Sequence, residues 1–157
     1  IPSQKAVEYG DLVLMDYGCQ YHGYLSDMTR TVVVGRATPR QREVYRLEQQ
    51  MVADVEQYIR VGADIRGAYE ASVQVIRDTE YYPYHYAGIG HGVGRAVHEI
   101  PFVGPRAEGT FQRDTVLTVE PGIYIPGWGG VRIEDQVLVT DEGVENLTPA
   151  TKELIEL

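Results

Sequence analysis

Apolar and polar positions alternate over short stretches near both ends of the chain, and between them they recur in steps of three and four. Alternation is the two-residue period of a strand, whereas the longer step is that of a helix. Residues 12–16 read as a strand that follows a turn at Gly10 and Asp11. Residues 20–24 and 28–34 read as two more, the latter carrying three consecutive valines, Val32, Val33 and Val34. Thr38 followed by Pro39 predicts a helix start, with Thr as cap and Pro in the first turn. Val44, Leu47, Met51, Val55 and Ile59 form its inward stripe, which ends near Gly62. A second helix is expected after Asp64 as cap, with Ile65, Ala68, Ala71, Val75 and Ile76 facing inward. Strands follow over 116–119, 131–133 and 136–139, then a turn over 141–143 and a short helix in the last residues. Strands, two helices and strands again predict an α+β domain with both helices on one sheet face.

The 157 residues suit one domain with a sizeable core, residues 1–157 being read as that unit. A net charge of −9 argues against nucleic acid or an anionic membrane as partner. No apolar run reaches the roughly 18 residues that span a bilayer, and no signal peptide is evident. The one cysteine, Cys19, has no internal partner for a disulfide and reads as structural, which makes the cytoplasm the expected compartment.

Five residues stand out against this ordinary background: Asp16, Asp27, His91, Glu120 and Glu134. Each lies in or beside an apolar, strand-like stretch, where a carboxylate is costly unless something compensates its charge. Asp16 and Asp27 flank one turn region, and Glu120 and Glu134 flank another rich in Pro and Gly. Alone, an acid beside a turn is most often a cap or turn residue. Together, four carboxylates and an imidazole form a donor set suited to divalent cations such as Mn, Co, Zn or Fe. His91 lies among Gly88, Gly90, Gly92 and Gly94, where the backbone is expected to pass close to a neighbour. No Lys-Ser/Thr pair follows, so a phosphate-cradling loop is a weak reading. His98 reads as a substrate-contacting or supporting group. His22, His85 and the tyrosines Tyr81, Tyr82, Tyr84 and Tyr86 read as surface or packing residues.

The stretches MDYGCQYHGYLSDMTRT, GIGHGVGRAVHEIP, LTVEPGIYIP and GVRIEDQVLVT resemble the pita-bread metallopeptidases, which include Xaa-Pro aminopeptidase, Xaa-Pro dipeptidase and methionine aminopeptidase. The resemblance covers nearly the whole chain, with the motifs in the family's order. It implies a pita-bread (creatinase/aminopeptidase-like) fold, a curved antiparallel sheet with helices on its outer face. It also implies two divalent metal ions, manganese first, with cobalt or zinc as alternatives. By the same resemblance Asp16 binds one ion, Asp27 and Glu134 bridge both, and His91 and Glu120 bind the other. Glu120 and His98 are then the catalytic pair, Glu120 shuttling a proton and His98 contacting substrate. Arg132 and Tyr124 take supporting places. The Arg in GVRIED is similar to the proline-specific branch, implying hydrolysis of the first peptide bond of a substrate with proline in second position.

Members of the family carry further sequence upstream, including another active-site histidine, and many have a histidine where this chain has Ala87. The chain does not begin with Met, and it is therefore expected to be an N-terminally truncated catalytic domain. Such a piece would expose a sheet edge and apolar surface, so a homo-oligomer is expected. The alternative is a truncated, weak or inactive peptide-binding module of the same fold.

Overall fold

The computed structural model describes residues 4–157. The chain runs through β1 (Leu12–Tyr17), β2 (Gln20–Tyr21), β3 (Tyr24–Leu25), β4 (Met28–Val33), α1 (Pro39–Tyr58) and α2 (Ile65–Gln74). It continues through β5 (Gly90–Gly92), β6 (Glu99–Val103), β7 (Val116–Val119), β8 (Gly122–Ile125), β9 (Gly129–Arg132), β10 (Asp135–Thr140) and β11 (Gly143–Asn146). Five strands form an antiparallel sheet in the order β11-β10-β7-β5-β6. β1 pairs antiparallel with β4, placing Asp16 opposite Thr29, and β8 pairs with β9 as a hairpin. A bridge between Thr29 and Glu134 joins β4 to the junction of β9 and β10. That bridge ties the β1–β4 ribbon to the larger sheet.

The first helix forms as its pattern predicts. Thr38 and Gln41 cap each other reciprocally, Pro39 occupies the first turn, and Val44, Leu47, Met51, Val55 and Ile59 are all buried. The helix ends where Ile59 turns extended, and Gly62 then takes a left-handed φ of 81°. α1 packs on α2 and on the outer side of β7, β8, β9 and β11, and α2 packs against β6. One apolar core joins both helices to these strands.

Three details depart from the pattern. Residues 20–24 are not one strand but a tight hairpin, β2 and β3, because His22 and Gly23 both adopt positive φ, 49° and 84°. Asp64 precedes α2 at the cap position, yet its side chain makes no capping hydrogen bond. The last residues are extended rather than helical. Arg30 takes the carbonyls of Ala150 and Thr151, each at 2.9 Å, that a helix would have needed, and the tail then lies along β4 with Val33 donating to Ile155.

Candidate metal centre

β1 and β4 bring the first acids to the cleft. Asp16 lies near the end of β1 and Asp27 immediately precedes β4. The second pair comes from the β8–β9 hairpin, with Glu120 two residues before β8 and Glu134 two residues after β9. His91 is the middle residue of β5. Its neighbours must be glycine: a Cβ at Gly90 would run into the carbonyl of Thr118, and one at Gly92 into the carbonyl of Ile100. The close backbone passage expected of this segment is therefore a contact between strands.

All five side chains line one cleft of about 1570 Å³, together with His98, Tyr124 and Arg132. Asp27, His91 and Glu134 are buried, and one ligand atom from each lies within 4.8 Å of the others. Glu120 joins them through its Oε1, 3.1 Å from His91 Nε2, and its buried carboxylate also accepts from Thr118 Oγ1 at 3.0 Å. Asp16 stands apart from the buried three. It is on the exposed rim of the cleft, and its Oδ2 is bound by Arg132 Nη2. Arg132 also donates to Tyr124 Oη and Thr29 Oγ1, each at 3.1 Å. The exposed ring of His98 lies 4.2 Å from that of His91, centroid to centroid.

The cluster carries more negative charge than its burial tolerates. Burial, then the charge of Glu120, pushes the Glu134 carboxyl up to about 8, against a hydrogen bond from Thr29 that favours the anion. Asp27 is raised by burial and by the charge of Asp16. Burial works to lower His91, but its contacts with Glu120, the Gly92 carbonyl and Asp27 outweigh this and hold the imidazole up at about 9. His91 Nδ1 donates to Gly92 O at 3.0 Å, so Nε2 is the nitrogen turned toward the acids. Buried carboxylates that resist ionisation beside an outward-facing imidazole nitrogen fit a divalent cation, which supplies the missing positive charge.

Several contributors escaped the sequence reading. Thr29 and Thr118 each lie two positions from an acid and share its strand face, so the two-residue alternation could have marked them. Gln136, whose Oε1 accepts from the Asp27 amide at 3.0 Å, carried no local signal. Tyr86 lines the cleft beside Tyr124, their rings 6.2 Å apart and edge to face, rather than serving only in packing.

This scaffold is the pita-bread fold, with a cluster of acids around one imidazole in its cleft. The chain belongs to metallopeptidase family M24, whose model matches residues 1–141. It is 39% identical over 155 residues to the Xaa-Pro dipeptidase of Pyrococcus furiosus, covering 99% of this chain and 44% of that protein. Among solved structures, an X-Pro aminopeptidase from Thermotoga maritima matches with a TM-score of 0.95 at 31% identity. A dipeptidase from Pyrococcus horikoshii matches with a TM-score of 0.96 at 36% identity. Both superpositions cover 99% of this chain and 44% of the other. The chain thus spans less than half the length of the relatives it matches. No helix among the described residues is long and apolar enough to cross a membrane.

Proposed function

We propose that the cleft is a two-metal peptidase site acting on the peptide bond between an N-terminal residue and a following proline, in dipeptides or longer peptides. The observation that carries this reading is the convergence of Asp27, His91 and Glu134 within 4.8 Å, with Glu120 beside His91. Asp16, Asp27, His91, Glu120 and Glu134 would hold the metals, with Asp27 and Glu134 shared between them. Two divalent ions, manganese first, would supply Lewis acidity and make water acidic enough to react near neutral pH. Glu120 would take and return a proton; its carboxylate lines the cleft and accepts from Thr118, which supports this reading. His98, exposed on the cleft wall, can donate to a substrate carbonyl. Arg132, 3.8 Å from Glu120 and donating to Tyr124 Oη, would hold the acids in place with Tyr124 as its support. The names of the relatives support proline specificity, and a cytoplasmic setting is part of the same proposal.

In this reading residues 1–157 act as one catalytic unit, and exposed apolar side chains such as Ile100, Phe102 and Tyr17 favour a homo-oligomer. The test is metal content of the chain combined with an Xaa-Pro cleavage assay in added Mn²⁺. Two equivalents of metal with release of the N-terminal residue are expected. Absence of metal binding overturns the proposal. Metal binding without cleavage replaces it with the peptide-binding module.

A further inference from the structure

Glu48 sits on the inner face of α1 with no exposed surface. A carboxyl at such a position is costly, and the cleft does not use it. Its Oε1 accepts from the main-chain N–H of Ile133 at 3.3 Å, while its Oε2 has no hydrogen-bond partner among the described residues. Ile133 lies where β9 gives way to β10, between Arg132 and Glu134. The flanking amides are satisfied from β4: Arg132 N–H donates to Thr31 Oγ1 at 3.2 Å and Glu134 N–H to Thr29 O at 3.0 Å. The Ile133 amide is bound instead by the helix. Strand residues alternate in direction, so anchoring Ile133 toward α1 keeps both its neighbours directed toward the cleft.

We propose that Glu48 is a positioning residue for the metal centre: by accepting the Ile133 amide it fixes the segment that aims Arg132 and Glu134 into the cleft. The inference rests on the metal-site reading above. Packing alone does not explain a carboxyl here, because the neighbouring inward positions Val44 and Met51 are filled by apolar side chains. Burial holds the Glu48 carboxyl well above the usual range, which makes glutamine a close substitute for the neutral acid.

The test compares the parent chain with Glu48→Gln, which keeps the accepting oxygen, and Glu48→Met, which removes it. In the metal-free protein, amide hydrogen exchange at Ile133 is expected to stay within about threefold of the parent in Glu48→Gln. It should be at least about tenfold faster in Glu48→Met, the net effect of one buried hydrogen bond. Titration with Mn²⁺ alone is expected to match the parent in Glu48→Gln and to be about 10–100-fold weaker in Glu48→Met. Unchanged exchange in Glu48→Met overturns the proposal, as does full Mn²⁺ affinity in that variant. If Glu48→Met does not fold, Glu48→Gln decides: faster Ile133 exchange or weakened Mn²⁺ binding overturns the proposal, and parent behaviour supports it. A parent chain that binds no Mn²⁺ defeats the metal-site reading on its own, and the exchange data then decide whether Glu48 holds the segment.

Discussion

His91 Nε2 lies 3.1 Å from Glu120 Oε1, which sets the imidazole nitrogen and a carboxylate oxygen side by side in the cleft. The imidazole is held at about 9 and the nearby Glu134 carboxyl at about 8. Both folded values lie above the ordinary ones, so each group contributes stability to the metal-free chain at low pH and loses it as pH rises through those values. The metal-free chain should therefore melt at progressively lower temperature from about pH 5 to about pH 9, in scanning calorimetry. Mn²⁺ affinity should rise over the same window, with protons released on binding, as read from titrations in two buffers of different ionisation enthalpy. Binding without proton release would mean that His91 and Glu134 do not ligate.

Asp27 and Glu134 occupy the middle of the cluster, each within reach of the other and of His91. If both bridge two ions, Asp27→Ala or Glu134→Ala should abolish binding of both. Asp16, on the rim, should cost only one when changed to Ala. Elemental analysis after dialysis reads the stoichiometry. Full occupancy in either the Asp27 or the Glu134 variant would show that the bridging assignment is wrong.

Arg132 makes four different contacts with its one guanidinium: Asp16, Tyr124, Thr29 and, at 3.8 Å, Glu120. A lysine retains the charge but cannot reproduce that fork. Arg132→Lys should weaken Mn²⁺ binding or turnover by about 10–100-fold. It should leave the melting temperature near that of the parent, because its side chain lies at the cleft wall rather than in the core. Parent-level affinity and turnover would reduce Arg132 to a surface residue.

The helices were legible because their signals are local. Thr38, Pro39 and a stripe of five apolar residues fix α1 without help from the rest of the chain. The convergence of the acids around His91 was legible in part, because a carboxylate inside an apolar strand pattern is anomalous wherever it occurs. Pairing was not. Asp16 turned out to face Arg132 across the cleft rim, a contact between β1 and β9 that no local pattern encodes. The tail read as a helix for the same reason, since the competition for its carbonyls comes from Arg30, far away in sequence. Glu48 carried no local signal: it is fully buried on α1 because the helix is covered by strands as well as by α2.

Beneath the cleft, Arg30 and Asp135 form a buried ion pair at 2.6 Å that ties three segments together. Arg30 also donates to the carbonyls of Glu134 at 2.6 Å and Thr29 at 2.9 Å, and to the tail. Asp135 receives Lys152 Nζ and Asn146 Nδ2, both at 2.5 Å. Burial alone would raise the Asp135 carboxyl, but Lys152 and Arg30 outweigh it and hold it below the usual range. Its stabilisation is therefore present above the ordinary carboxylate range and lost as pH falls through the depressed value. Removing one partner strands the other's charge in the interior. Asp135→Asn should destabilise the chain by about 3–5 kcal/mol in urea unfolding. Adding Arg30→Met to Asp135→Asn should cost less than the two single changes combined, because the pair shares one interaction. A loss below about 1 kcal/mol for Asp135→Asn would place the pair with exposed ion pairs, and the tail would then need another anchor to the sheet.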